Sequence, residues 1–515
     1  MRPALQLLTS SLAALALTGT ASSSLIETKP LRNANHIFNA IHSSMRQWGG
    51  SWNHNGMSFF LATVPAGTQF YHGTYTPDPV NGTEWLAFEP EHALAFARPR
   101  PRGHPPGKDP QGGPRQREQK PLHINENSQE GDDEAGFLHT YITAKDLHLL
   151  YLDGLSAGKT DMGTLDSQDR ILLRDNITGP GFQEYERAKL ACQIARDDWH
   201  GRIDGILRME SGFEIILCDF KRDLRVVRIS RVKGRDRERR GAPGGVEGFS
   251  TYKAIAARFN GIGGGRVRVN YDHFVTAYAY DQLDLFQGGT NKMPRLVNFS
   301  YDDLEPIRRD LDRLVLEHDA DEPPAFNWQS IADMIIERYS NELKYLVSEK
   351  LPSTIEALHA EIETLLSPFI DYRLRNATAE AERCATQFIP ANAPKDTLAA
   401  RVVYDVAYTI CATLRSALEE ADHQTAVTSI ERLIEYLSWT TWKECPEKCD
   451  YSEVCFIPIW PSGTVEDREH PRCRDRPSSG GERYWRGGPG FGHRPRPPKD
   501  AFDEDEDDYG HYDEL

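Results

Sequence analysis

The hydrophobic and polar positions divide the chain into a strand-rich part and a helix-rich part. Between residues 63 and 229, short apolar or alternating runs bounded by Gly, Pro and Asn predict strands. These runs are 69–72, 84–88, 137–142, 147–153, 213–218 and 225–229. A short helix that begins at Pro90 and a longer one over about 183–199 lie between them. We therefore predict an α+β fold for this part.

From about residue 302 to 439 the apolar period becomes helical. Leu398, Val402, Val406 and Ile410 recur every four residues, as expected for one face of a helix. Pro352, Pro368, Pro390 and Pro394 separate the predicted helices. The pattern predicts an all-helical domain after the α+β domain.

Changes in composition give the predicted domain boundaries. We predict a signal peptide over 1–21, an α+β domain over 30–232 with a disordered insertion at 98–134, a polar insertion and connecting segment over 233–300, a helical domain over 301–440, a small disulfide-rich cap over 441–476, and a disordered acidic tail over 477–515. The insertion and the tail are assigned in this way because they lack apolar periodicity.

Several features predict passage through the secretory pathway. Arg2, a short apolar run over 4–17 and small residues up to Ala21 are typical of a signal peptide. Four N-x-Ser/Thr sequons predict glycosylation at Asn81, Asn176, Asn298 and Asn376. The chain ends in Asp513, Glu514 and Leu515, which match the last residues of signals bound by a retrieval receptor. We expect the lumen of the endoplasmic reticulum, with secretion as the alternative.

Charge and hydropathy exclude two classes of protein. The net charge is −17, and residues 500–515 hold nine acidic residues and no Lys or Arg. A nucleic-acid partner is therefore not expected, because such proteins usually present a basic surface to phosphate. After signal removal no run approaches the ~18 apolar residues that a membrane-spanning helix needs.

The eight cysteines suit an oxidising compartment. Cys445, Cys449, Cys455 and Cys473 form the cap, for which two disulfides are favoured over a zinc site. Cys384 and Cys411 lie in neighbouring predicted helices and are expected to pair. For Cys192 and Cys218, pairing and simple burial are equally open.

Three short motifs lie far apart in the sequence, and their order along the chain is informative about the fold. Tyr-His72-Gly73-Thr ends one predicted strand, Glu-Trp85-Leu-Ala-Phe88 leads into a helix with the pattern Ala-x-x-Phe-Ala, and Glu214 opens a late strand of aliphatic residues. This order resembles that of the ADP-ribosyltransferase fold. The resemblance covers roughly residues 65–229 of the chain and does not extend to the helical part.

The resemblance implies a chemistry and a set of roles. The reaction would be cleavage of the nicotinamide–ribose bond of NAD, by transfer to a protein acceptor or by hydrolysis. Glu214 would stabilise positive charge on the ribose, and His72 would bind the adenosine ribose. Gly73 would bring its backbone close to the nicotinamide amide, and Trp85 or Phe88 would stack on the nicotinamide ring.

Structural explanations exist for each of these residues. His72 can be a turn residue, Glu214 the solvated start of a strand, and Trp85 and Phe88 core residues, while Glu184 and Glu186 are expected on the exposed face of a helix. Glu210 lies four residues before Glu214, so the chain lacks a Glu-x-Glu motif, which argues against transfer to arginine. The second hypothesis is therefore an inactive lumenal glycoprotein that binds a protein partner through its helical domain.

Overall fold

The structure, a computed structural model, describes residues 31–98, 136–177, 183–232, 246–256, 261–287, 293–318 and 326–476. The predicted signal peptide, nearly all of the insertion at 98–134, the acidic tail and the C-terminal Asp-Glu-Leu lie outside these residues. No helix in the described ranges combines the length and the apolar character needed to cross a bilayer.

The described strands of the first half form one mixed sheet. The strands are β1 (Ser58–Val64), β2 (Gln69–Thr74), β3 (Glu84–Ala87), β4 (Gly136–Thr143), β5 (Leu147–Leu152), β6 (Gly205–Met209), β7 (Phe213–Leu217), β8 (Leu224–Val232) and β9 (Arg268–Thr276). Their order across the sheet is β8-β4-β2-β3-β7-β6-β5-β1-β9. β5 and β6 are parallel, and every other neighbouring pair is antiparallel.

The central strands are covered on both faces. Every residue of β1, β6 and β7 is buried, which explains why their sequences are almost continuously apolar. Arg208 in β6 and Glu214 in β7 are charged exceptions in these strands, and they lie opposite each other in the antiparallel register. Two buried opposite charges in facing positions can compensate each other.

The sheet is weakly joined between β2 and β3. β2 pairs with β4 over six residues and β3 pairs with β7 over four, but the only register pair between β2 and β3 is Tyr71 with Ala87. The two halves of the sheet therefore separate beyond this pair, and a cavity lies at that point.

The sequence prediction covered only part of β9. Within the polar insertion and connecting segment predicted over 233–300 it included one short strand over 266–270, whereas the strand in the structure is Arg268–Thr276, which pairs with β1 and forms one edge of the sheet. The alternation of this strand is interrupted by Asp272 and His273, and its pairing shifts register between Phe60 and Ala62 of β1. Such an irregular edge strand gives little periodic signal.

Helices make up most of the rest of the described chain. They are α1 (Ala34–Ser43), α2 (Gln47–Asn53), α3 (Pro90–Leu94), α4 (Glu184–Asp197), α5 (Phe220–Asp223), α6 (Val246–Ala256), α7 (Tyr301–Glu317), α8 (Trp328–Leu346), α9 (Ile355–Leu366), α10 (Ala377–Thr386), α11 (Leu398–Glu419), α12 (His423–Leu437) and α13 (Val465–Glu469). Side-chain caps fix several starts, including Thr397 for α11 and a Ser300–Asp303 capping box for α7.

The sheet and the helical region share one hydrophobic core. α11 packs against α8, α9, α10 and α12, and also against the N-terminal helix α1. Asn39 donates to the carbonyl of Leu437 at 2.9 Å, and Arg46 forms a two-point ion pair with Asp333 at 2.8 and 2.7 Å. The start of the chain is therefore built into the helical region as well as into the α+β region.

All eight cysteines are paired. Cys384–Cys411 joins α10 to α11, and Cys192–Cys218 joins α4 to the end of β7, which resolves the alternative that the sequence left open. In the cap, Cys445 pairs with Cys455 and Cys449 pairs with Cys473, so these thiols are not available as zinc ligands. Cys455 and Cys473 lie opposite each other in two short strands, β10 (Val454–Phe456) and β11 (Arg472–Arg474), which pair with each other.

The four sequon asparagines are exposed. Asn376 also begins α10, where its side-chain oxygen accepts a hydrogen bond from the amide of Ala379. A glycan would be attached through the amide nitrogen, so this cap and the modification are compatible.

Candidate functional site

A small cavity of about 30 Å³ lies where β2 and β3 separate. The three sequence motifs converge on it, because its lining includes His72 and Gly73 from β2, Trp85 from β3 and Glu214 from β7. β2, β3 and β7 are consecutive strands of the sheet, although their motifs are far apart along the chain. α3 covers the cavity and contributes His92 to the lining.

The ring of His72 bridges the two separating strands. Its Nδ1 lies 2.8 Å from the main-chain oxygen of Trp85, and since a carbonyl only accepts, Nδ1 must carry the proton. Nε2 is then a hydrogen-bond acceptor, and it has no partner among the described residues. Burial lowers the pKa of His72 to about 4, so the imidazole is neutral at physiological pH.

Gly73 lies directly beneath α3. A Cβ at this position would collide with the carbonyl oxygen of Ala93 and would come within 2.7 Å of the amide nitrogen of Ala97. Only glycine allows this close approach of two main chains. The same approach places α3 over the part of β2 that the resemblance assigns to nicotinamide.

Glu214 is buried and held by an arginine. Its Oε1 accepts a hydrogen bond from Nε of Arg208 at 3.0 Å and lies 2.8 Å from Nη2 of the same side chain. The register of β7 places Glu214 beside Ala87 of β3 as well as beside Arg208. Glu214 therefore does not lie on the solvated edge of a strand, which was the structural alternative for this residue.

The Glu214–Arg208 pair belongs to a larger buried charge cluster. Arg208 also contacts Glu184, and Lys159 lies 2.5 Å from Glu210 and 3.4 Å from Glu184. Each of the five side chains is less than one-tenth exposed. The cluster contains three carboxylates and two cations, so it has one excess negative charge when all five are ionised.

His92 of α3 completes this group. A ring nitrogen of His92 and carboxylate oxygens of Glu210 and Glu214 lie within 4.8 Å of one another. Neither ring nitrogen of His92 has a hydrogen-bond partner among the described residues. Burial lowers the pKa of His92, while the nearby Glu214 opposes the shift. This spacing would suit a cation, but Lys159 and Arg208 already pair with the two carboxylates.

The two aromatic candidates differ in position. Trp85 lines the cavity, and its indole Nε1 has no hydrogen-bond partner in the described part of the chain. Phe88 is not brought to this cavity, because its ring packs into the core against Phe70 at 4.8 Å and Phe213 at 6.4 Å. Of the two, only Trp85 is placed to stack on a ligand in this cavity.

A second cavity adjoins the first at Tyr71. It has a volume of about 480 Å³ and is lined by residues of the turn before β2, by Glu89 at the start of α3, and by Arg266. Arg266 lies over the ring of Phe88 at 5.5 Å and forms an ion pair with Glu89 at 3.0 Å. The second cavity therefore presents the positively charged side chain of Arg266 close to the first cavity.

Sequence reasoning missed several members of the charge cluster. Glu184 was expected on the exposed face of its helix, which is wrong, since it is buried against Arg208 and Lys159, whereas Glu186 is exposed. One signal was available: Arg208 is a charged residue inside an apolar strand, which implies a buried partner. The four-residue spacing of Glu210 and Glu214 concealed their proximity, because the turn between β6 and β7 folds them together.

Comparisons with known proteins identify relatives of unknown activity. A family model described as "YPL277C N-terminal domain" matches residues 21–136 and 106–239, which include the whole candidate site. Uncharacterized protein YOR389W of Saccharomyces cerevisiae is 24% identical over 540 residues, covering 85% of this chain and 84% of that protein. Uncharacterized protein YPL277C of the same yeast is 34% identical over 206 residues, covering 37% of this chain and 41% of that protein. No solved structure matches the chain significantly.

Proposed function

We propose that the protein consumes NAD by breaking the nicotinamide–ribose bond, as a glycohydrolase or as an ADP-ribosyltransferase with a protein acceptor. The observation that carries this proposal is the convergence of His72, Trp85 and Glu214 on one cavity from three adjacent strands. These residues come from the three motifs that resemble those of ADP-ribosyltransferases.

The charge cluster supports the same chemistry. Breaking the glycosidic bond builds positive charge on the ribose carbon, and a fixed carboxylate stabilises that charge most strongly where water is excluded. Glu214 is such a carboxylate, and the excess negative charge of the cluster would be balanced by the developing cation. Arg208 fixes the position of Glu214 through a hydrogen bond and an ion pair to Oε1.

Each part of the substrate has a proposed site. Trp85 stacks on the nicotinamide ring, and the main chain of Gly73 receives its amide group. The neutral Nε2 of His72 accepts a hydrogen bond from a ribose hydroxyl. The rest of the dinucleotide extends toward the second cavity, where Arg266 meets the diphosphate.

The step balances with water as the acceptor. The bond between the ribose carbon and the pyridinium nitrogen breaks, its electron pair goes to that nitrogen, and nicotinamide leaves as a neutral molecule. A water oxygen bonds to the ribose carbon and releases a proton. In transfer to a protein, a nucleophilic side chain of the acceptor takes the place of water.

NAD consumption by the purified full chain tests the proposal. We expect nicotinamide release by the native protein and a loss of about 100-fold or more in Glu214→Gln. Glu186→Gln is the matched control, because Glu186 is exposed on α4 and should be indifferent. Glu214→Asp retains the negative charge beside Arg208 and is therefore the variant least expected to misfold. It tests whether inactivity of Glu214→Gln is caused by misfolding. Equal rates in native protein and Glu214→Gln, with both folded, would refute an enzymatic role for this site.

The second candidate is an inactive lumenal module, and one observation favours it. α3 lies so close to Gly73 that the nicotinamide site is covered, and NAD can enter only if α3 moves. If the folded native protein neither releases nicotinamide nor binds NAD in calorimetry, the inactive module is the better assignment. The surface that binds a protein partner would then be sought on the helical region.

We also propose that the protein resides in the lumen of the endoplasmic reticulum. Its four disulfides and exposed sequon asparagines support an oxidising compartment. A secreted reporter that carries residues 500–515 at its C-terminus should be retained in cells, whereas the same reporter without Asp513, Glu514 and Leu515 should be secreted. Secretion of both reporters would contradict retention and favour the extracellular space as the location of the protein.

A further inference from the structure

The strand β8 forms an open edge of the sheet. It pairs with β4 on one side, and no described strand pairs with its other side. The four residues Arg225–Arg228 in its middle are all exposed. An edge of this kind presents unpaired main-chain groups to any extended segment that can reach it.

This edge is basic and partly apolar. Arg225, Arg228 and Arg231 are exposed, and none of them forms an ion pair within the described ranges. Neither β8 nor its neighbour β4 contains an acidic residue. Between the arginines, Val226 and Val227 are 43% and 53% exposed. An extended acidic segment with some apolar side chains would complement this surface.

The chain carries such a segment at its own end. Residues 503–508 are six consecutive acids, with Phe502 before them and Tyr509 after them, and 500–515 has no Lys or Arg. The described residues end at Arg476. The 23 residues between Arg476 and Asp500 can span up to about 75 Å when extended, so the segment can reach β8 on the same molecule.

We propose that residues 500–509 of the same chain bind along the open edge of β8. The acidic run, which as an extended strand is about as long as Arg225–Arg231, pairs with Arg225, Arg228 and Arg231. Tethering makes the contact intramolecular, so even a weak electrostatic interaction is populated at low salt. This proposal does not depend on the enzymatic one.

Hydrogen exchange of the full chain tests the contact. In one variant the six acids of 503–508 are replaced by Asn and Gln. We expect the amides of β8 to exchange at least about fivefold faster in this variant than in the native chain at low salt. High salt should remove the difference, and dilution should not, because the segment and the strand belong to one molecule.

Charge reversal provides the second arm. Arg225→Glu, Arg228→Glu and Arg231→Glu together should raise exchange across β8, and replacing the six acids by Lys in the same protein should restore protection. Lys350→Glu, Arg373→Glu and Lys395→Glu form the control set, because these residues are exposed on the helical region. Exchange of β8 that is identical in native and tail-neutralised chains would overturn the proposal. Protection that falls on dilution would show that the tail of another copy binds instead, which also overturns it.

Discussion

The Nδ1 of His72 and the main-chain oxygen of Trp85 lie 2.8 Å apart across the gap between β2 and β3. This single hydrogen bond fixes the tautomer of the imidazole and leaves Nε2 as an acceptor that has no partner among the described residues. This hydrogen bond lies where the sheet separates. There, a side chain of β2 contacts the main chain of β3 in place of regular strand pairing.

Replacing His72 should weaken substrate binding more than it slows the reaction. In His72→Ala we expect KM for NAD to rise about fivefold, which corresponds to the loss of one hydrogen bond of ~1 kcal/mol. Because the pKa of His72 is lowered to about 4, this binding term should not change between pH 6 and 8. A KM that titrates near pH 6.5 in the native protein, but not in His72→Ala, would contradict the neutral acceptor.

If the proposed hydrolysis occurs, we expect His92 to take the proton from the attacking water, because it lines the cavity and neither ring nitrogen has a hydrogen-bond partner among the described residues. In His92→Gln we expect kcat to fall about 100-fold with little change in KM. As a base, His92 must be neutral, and its pKa is lowered by burial, so the acidic limb of kcat in the native protein should lie below pH 6.5. This limb should be lost in His92→Gln. If the limb persists unchanged, His92 is not the base.

Lys159 should be essential for the stability of the buried cluster. Lys159→Met leaves Glu210 and Glu184 without one of their cations and should lower the free energy of unfolding by about 3–5 kcal/mol. The double variant Lys159→Met with Glu210→Gln removes one charge of each sign and should recover part of the loss. Denaturant titration measures both values, and equal losses in the single and double variants would argue against charge pairing as the cause.

Gly73→Ala should displace α3. The added Cβ collides with the carbonyl oxygen of Ala93, so we expect a loss of about 1–3 kcal/mol in the free energy of unfolding and faster proteolysis near 90–97. The loss of stability comes from a collision with the main chain, so a residue larger than alanine at position 73 should lower the free energy of unfolding further. A native-like melting temperature in Gly73→Ala would show that α3 does not rest on β2 in solution.

Asp153 should give stability a pH dependence of known sign. Its Oδ1 accepts from the amide of Ser58 at 2.8 Å, and burial raises its pKa to about 7. The folded state holds this proton at pH values where the unfolded chain has lost it, so stability falls as pH rises from about 4 through 7. In Asp153→Asn this contribution, about 4 kcal/mol, should be absent. Parallel stability–pH curves for the two proteins would be the contrary result.

The strands that carry the motifs could be predicted because burial on both faces produces strong apolar runs. β7 reads Phe-Glu-Ile-Ile-Leu, and the one acidic residue in it marks the candidate site. Only the start of β9 could be predicted, since it is an irregular edge strand. Glu184 was misassigned because helix periodicity cannot show that Arg208, on a distant strand, lies against that turn.

The sequence alone determined the local properties of this protein: the periods of most of its strands and helices, and the residue types capable of the proposed chemistry. These depend on neighbours along the chain, which the sequence contains. The tertiary structure decided which of those residues meet. The pairing order β2-β3-β7 brings the three motifs to one cavity, and the β6–β7 turn brings Glu210 to Glu214. Such contacts follow from sheet topology and packing, which no periodicity within a single segment encodes.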